Sequence, residues 1–392
     1  MVTRDMLREL RAAADEYPVV TLVGPRQSGK TTLAQMAFPA KPYRSLEDPD
    51  VRAWAQQDPR GFLAGLPTGG VLDEIQRVPE LLSYLQTHVD RQRGPGQFIL
   101  TGSHQPEVHS AVAQSLAGRT ALLTLLPFSW RELRHYNKRW TAFGLVICGS
   151  FPGVHERRLD PARFFNNYVQ TYLERDVRAL IRLKDLRRFQ QFMTLLAGRV
   201  GQLLNYSSLA NDLGVSANTV KDWISILSAS YIVFELPPYF ENINKRVIKA
   251  SKVYFTDAGL AAHLVGLRTL EQVERDPLRG GLYENLVIAE VLKGQTNRGQ
   301  KPELFFYRDS HGNEVDLLVR RGRSLWPVEI KSSATFHSDF HTGIARFRET
   351  LGARVHPGFI LYNGVEAAVF KEAQVFNPIR HERLDELLKA ST

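Results

Sequence analysis

Cysteine is all but missing from this 392-residue chain; Cys148 stands alone. A single thiol excludes an intramolecular disulfide and a cysteine zinc site, and it fits a reducing, cytoplasmic setting. Long apolar runs are missing too. None approaches the roughly 18 residues that cross a bilayer, and the longest, such as residues 121–128, have the length of buried strands. The charged N-terminal stretch carries no apolar core, so no signal peptide and no membrane association are expected. Internal repeats, low-complexity segments and histidine clusters are also absent.

What is present is an ordinary globular composition, 43% hydrophobic, with a formal net charge of +9. The length exceeds one ordinary core, so two or three domains are expected. The basic balance points to an anionic partner, nucleic acid first, with a merely solvated basic surface a near-equal alternative on charge alone.

Three parts are expected: residues 1–160, 161–270 and 271–392. In the first, apolar runs at residues 18–23, 70–72, 97–101 and 121–126 alternate with helical patterns at 32–38 and 80–90, which implies a parallel sheet covered on both faces. The second part is dominated by helical segments, at 164–180 and 186–198. The third is mixed, with a helix over 282–292 and strands over 304–308, 314–320 and 326–331. Glycine and proline between residues 144 and 153 suggest a hinge. The fold class is therefore α/β, with a helical middle.

Gly24-Pro25-Arg26-Gln27-Ser28-Gly29-Lys30-Thr31, followed by Thr32, sits between an apolar run and a helical pattern. Such a loop aims backbone N–H groups and a helix N-terminus at phosphate oxygens. Lys30 would reach the β- and γ-phosphates of ATP, and the Thr31 hydroxyl would ligate Mg²⁺. A second apolar run ends in Asp73 and Glu74. Asp73 is expected to hold Mg²⁺ and Glu74 to polarise the attacking water. A third ends in Thr101-Gly102-Ser103-His104, where Ser103 is a candidate to orient water or touch the γ-phosphate. The order of these elements, with Arg119 before the next strand, resembles the AAA+ superfamily. The resemblance implies that Arg119 acts on a neighbouring subunit's nucleotide, and hence a homo-oligomer or ring.

Residues 205–231 have a helix-turn-helix cadence. Val220, Trp223, Ile224 and Leu227 recur at helical spacing and face inward, which leaves Ser216, Asn218, Thr219 and Lys221 for DNA. Beyond them Lys245, Arg246, Lys249 and Lys252 suggest the basic wing of a winged helix, although such modules also serve protein contacts.

In the third part, Asp316 on one strand and Glu329 and Lys331 on the next are expected to converge, with Glu284 from the preceding helix. Carboxylates beside a lysine make a Mg²⁺ site with a group to activate water. The set resembles the PD-(D/E)xK nuclease superfamily, restriction-endonuclease-like in fold. That resemblance implies Asp316, Glu329 and Glu284 as metal-binding acids and Lys331 as the lysine, although the motif's proline is missing before Asp316. Residues 22–32, 71–76, 100–103, 172–176, 254–260 and 314–331 together resemble a prokaryotic family that joins an AAA-type domain to a C-terminal domain of unknown function, DUF4143. The leading expectation is an ATPase coupled to nucleic-acid handling. An ATP-gated DNA nuclease and a nucleotide-switched assembly module are the alternatives.

Overall fold

A computed structural model describes residues 2–103, 114–173, 186–240, 250–380 and 384. His104, Glu174 to Asp176, Lys245, Arg246 and Lys249 lie outside the described residues. Compactness divides the chain into two units. The first comprises Met1–Phe128 with Ala229–Tyr231 and Thr296–Gln300, and the second holds the remainder. Residues 129–160, grouped with the first part on sequence, thus belong to the second unit. One reason is visible at Trp130, whose backbone N–H is bound by the buried carboxylate of Glu290 (2.8 Å).

The first unit is built on five parallel strands, β1 (Val19–Gly24), β2 (Tyr43–Ser45), β3 (Gly70–Asp73), β4 (Phe98–Ser103) and β5 (Thr120–Thr124), in the order β2-β3-β4-β1-β5. Strand alternation separates two cores. Val20, Leu22, Val71 and Ile99 pack on Leu10, Leu33 and Ala34. Val19, Leu72, Phe98 and Leu100 pack on Phe62, Leu81 and Leu85. Both faces are therefore covered, as a parallel sheet requires. The strands lie within a residue or two of their expected places, but β2 is an addition. The helix Lys30–Ala37 begins two residues earlier than expected.

In the second unit the helix Pro161–Tyr168 continues into a π-turn, Val169–Leu173. The helices Tyr206–Leu213 and Ala217–Ala229 make the expected helix-turn-helix, closed by Gly214 in the left-handed region. Val220, Trp223, Ile224 and Leu227 are all buried, and the Trp223 indole lies against Phe189 and Phe192 with ring centroids 5.5 and 5.1 Å away. Two antiparallel strands follow, β6 (Val233–Leu236) and β7 (Lys252–Phe255). The proposed hinge is instead occupied by two helices, Ala142–Cys148 and Pro152–Glu156. Ser150 between them is fixed by its backbone N–H and its hydroxyl, both 2.6 Å from the Asp257 carboxylate, so this corner is packed.

The helix Arg279–Thr296 leads into a mixed sheet. Its strands are β8 (Leu304–Arg308), β9 (Glu314–Arg321), β10 (Ser324–Lys331), β11 (Gly358–Tyr362), β12 (Ala368–Val369) and β13 (Ala373–Phe376), in the order β12-β13-β11-β10-β9-β8. The first three run antiparallel, β11 runs parallel to β10, and the helix Thr342–Leu351 connects those two. Leu318, Leu325 and Phe347 form one core of this sheet, and Ile344, Ile360 and Val375 another.

Candidate functional site

The nucleotide loop leaves the C-terminal end of β1, where an open parallel sheet forms its ligand crevice. Gly24 has φ +148°, and a Cβ there would lie 2.1 Å from the Leu125 carbonyl oxygen, so the loop closes over β5 only with glycine. Gly29 has φ +90° and opens the helix Lys30–Ala37. The Lys30 ammonium is buried and donates to the carbonyls of Gly24 (3.1 Å) and Pro25 (2.8 Å). Burial pulls its pKa down to about 8, against the opposing pull of Glu74 and Asp73. Ser28 is fully buried, and its hydroxyl has no partner among the described residues. Pro25 is buried, Arg26 half-buried, and Gln27 and Thr32 exposed.

Asp73 ends β3 beside this loop. Its Oδ1 accepts from the Thr31 hydroxyl (2.8 Å) and from Thr101 Oγ1, and its Oδ2 accepts from the Tyr43 hydroxyl (2.9 Å). Burial, together with the neighbouring Asp73 charge, drives the Tyr43 phenol up to about 12, so it remains a donor. Glu74 sits in the left-handed region at φ 58°, a conformation uncommon outside glycine. Its Oε2 accepts from Gln76 Nε2 and from the Ser103 hydroxyl (3.3 Å), and Gln76 also donates to Ser103 Oγ (2.9 Å). Thr31 from the helix, Asp73 and Glu74 at the end of β3, and Ser103 at the end of β4 thus meet at the C-terminal ends of the strands.

Sequence reasoning passed over Tyr43, Gln76, Thr101 and Arg4. Thr101 and Gln76 stand beside residues that were singled out. Tyr43 lies on a three-residue strand that leaves no periodic signal. Arg4 is 5% exposed; its guanidinium donates to the carbonyls of Ser28 (2.6 Å) and Leu126 (2.7 Å) and lies over the Phe128 ring. Arg119 is placed differently. It precedes β5, at the end of the sheet opposite Gly24, and grips Asp90 at two points (2.6 and 2.8 Å).

The C-terminal acids also converge. Lys331 Nζ lies 2.7 Å from Glu329 and 3.3 Å from Asp316, and the Asp316 carboxylate accepts from the backbone N–H of Ile330 (2.8 Å). Burial opposes the Lys331 charge, but Asp316 and Glu329 outweigh it and hold the pKa above the usual lysine value. Burial, then the Asp316 charge, raises Glu329 well above the carboxylate range and Glu284 to about 7. Glu284 bonds to the Tyr254 hydroxyl and to Lys252 Nζ (3.1 Å), which also reaches Glu314 (2.7 Å). This corrects one expectation: Lys252 is 4% exposed and ion-paired, so it belongs to this acid cluster and not to a solvent-facing wing. Among the described residues no three histidine, cysteine or acidic side chains are arranged as metal ligands. In the helix-turn-helix, Ser216, Asn218 and Lys221 are exposed, but Ser216 Oγ is engaged by the Thr219 backbone N–H (3.1 Å) and hydroxyl (2.8 Å) as a helix cap.

The chain matches the AAA domain family over residues 16–134 and DUF4143, a domain of unknown function, over residues 279–381. Residues 141–271 match a further domain of unknown function, DUF8612. An uncharacterized protein of Mycobacterium tuberculosis is 32% identical over 335 residues, 85% of this chain and 74% of that protein. The chain belongs to the AAA-type ATPases with a C-terminal DUF4143 domain. An uncharacterized protein of Haemophilus influenzae is 23% identical to this ATPase over 249 residues, 59% of this chain and 58% of that one. Among solved structures, a Walker-type ATPase of Pyrococcus abyssi aligns with 66% of this chain and 94% of its own, at 16% identity and a TM-score of 0.39.

Proposed function

We propose that this ATPase holds Mg²⁺–ATP between the phosphate loop and Asp73, that Glu74 activates the attacking water, and that the turnover drives nucleic-acid handling. The observation that carries the reading is the pairing of Thr31 and Asp73 at 2.8 Å, beside Lys30 and Glu74 at the ligand edge of the sheet. An oxygen donor set of one hydroxyl and one carboxylate suits Mg²⁺, which keeps most of its waters and takes the remaining ligands from phosphate. When bound, Mg²⁺ neutralises charge on the phosphate oxygens. Lys30 places its ammonium on the terminal phosphates, and Ser28 brings an unpartnered buried hydroxyl to the same loop. Glu74 accepts the water's proton, with Ser103 and Gln76 fixing its carboxylate.

The nucleic-acid part of the proposal is supported by the +9 net charge and by the exposed Asn218 and Lys221 at the start of a helix-turn-helix second helix. Ring assembly would require Arg119 to leave Asp90 for a neighbour's nucleotide. The ATPase rate with and without DNA, alongside mass measurement with and without ATP, tests these points together. DNA stimulation and ATP-dependent assembly support them. An unchanged rate removes the DNA coupling, and an unchanged mass removes the ring.

A second reading, Mg²⁺-dependent DNA cleavage by the C-terminal part, is supported by the meeting of Asp316, Glu329 and Lys331 and by the helix–three-strand–helix–strand order around them. Plasmid cleavage that is lost in Lys331→Ala would favour it. Cleavage that survives would remove that site from consideration.

A further inference from the structure

A cavity of about 580 Å³ in the second unit is lined by Arg134, Lys138, Arg139, Trp140, Val365 and Arg380, among others, and no carboxylate lines it among the described residues. Lys138, Arg139 and Arg380 are exposed, and no ion pair holds them among the described residues. Arg134 is fixed at its wall, donating to the Ile379 carbonyl (2.5 Å). The Trp140 indole is fixed as well: its N–H donates to the Leu133 carbonyl (3.1 Å), and His155 meets it edge to face at 5.6 Å. Arg134 already feels the Glu290 carboxylate, but Lys138, Arg139 and Arg380 are three like charges around one hollow, and they repel one another unless an anion enters. The volume lies in the ordinary range for small-molecule sites, about 300 to 1,000 Å³, and exceeds what a lone phosphate needs. Guanidinium groups match phosphate oxygens, and an immobilised indole offers a face on which a base can stack.

We propose that this cavity binds a 5′-phosphorylated nucleotide unit, with the phosphate on Arg134, Lys138, Arg139 and Arg380 and the base against Trp140. The unit is either a free nucleotide or the end of a single strand. The lining shares no residue with the phosphate loop and the proposal does not rest on the ATP assignment, so its test uses the full chain carrying Lys30→Ala.

The probes are a 5′-phosphorylated oligothymidine, the same strand without the phosphate, and AMP. Binding is followed by anisotropy at low salt and by Trp140 fluorescence, which is identified by its loss in Trp140→Phe. The phosphorylated strand is expected to bind better than the bare one. Removing all three exposed cations in Lys138→Ala/Arg139→Ala/Arg380→Ala should weaken it about tenfold or more. The slope of log affinity against log salt should fall by about 2, since each phosphate contact on a single strand contributes about 0.7. Trp140→Ala should weaken binding at least about fivefold, and Trp140→Phe should restore most of it. If AMP competes as well as the strand, the ligand is a free nucleotide; if the strand is tighter, it is a strand end. Absence of binding to every probe, indifference to the 5′-phosphate, or a triple variant within about twofold of its parent would overturn the proposal. The melting temperature should be unchanged, because the three residues are exposed.

Discussion

Asp73 and Asp316 both end up beside a lysine, on an inner strand of a sheet and next to a second acid, yet their surroundings differ in one respect. Asp73 is held by neutral donors, the hydroxyls of Thr31, Tyr43 and Thr101, while Lys30 turns to loop carbonyls. Asp316 is held by the ammonium of Lys331, and the neighbouring Glu284 and Glu314 by that of Lys252. Hydroxyls satisfy hydrogen bonds without cancelling charge, so the first cluster keeps its negative charge for a cation. Lysines offset part of it, since Lys331 and Lys252 stand among Asp316, Glu329, Glu284 and Glu314. Carboxylate–lysine proximity alone therefore does not define a magnesium site. The identity of the remaining donors decides whether a cation is still wanted.

The largest effect that bears on this comparison is at Lys30. Lys30→Ala should abolish ATP turnover, as read by phosphate release, while leaving the C-terminal cluster intact. Next comes Lys252→Met, which strips the cation from between Glu284 and Glu314. Taking this buried ammonium from two half-buried acids, of which Glu314 keeps Arg308 at 3.7 Å, should cost the second unit about 3 kcal/mol in denaturant unfolding. Tyr43→Phe, which removes one neutral donor from Asp73, should cost only about 1 kcal/mol. Equal losses in the two clusters would break the comparison. Arg4→Ala should fall between them, at about 2 kcal/mol for charged hydrogen bonds to the Ser28 and Leu126 carbonyls. It should also raise KM for ATP more than it lowers kcat, with partial rescue by Arg4→Lys.

The smallest effect at neutral pH is at His263. Its ring nitrogen Nε2 bonds Asn166 (3.0 Å), and burial, with Arg268 nearby, lowers its pKa to about 4. The unfolded chain therefore binds the proton first as pH falls, and stability is lost between about pH 6.5 and pH 4. His263→Gln should flatten that part of the melting-temperature profile.

The sequence made the first cluster legible because each part falls at the end of a strand with a fixed spacing. Gly24 to Thr31, Asp73, Glu74 and Ser103 could be picked out without knowing how the strands pair. Tyr43 could not, since a three-residue strand has no period to read. Arg4 could not either, because its partners lie 24 and 122 residues away. In the second cluster Asp316, Glu329 and Lys331 followed from strand alternation. Lys252 misled: in sequence it continues a basic stretch, and only the packing of β7 turns it inward onto acids from a helix and a different sheet. A lysine's surroundings are a tertiary property, and charge patterning along the chain does not contain them.

The central claim is that Glu74, clamped by Gln76 and Ser103, takes the proton from water attacking an ATP held at Thr31 and Asp73. Nucleotide affinity and phosphate release measured side by side for Glu74→Gln test it most directly. The account predicts ATP–Mg²⁺ binding close to that of the unaltered chain, with turnover slower by about 100-fold or more. Turnover at the unaltered rate would contradict it.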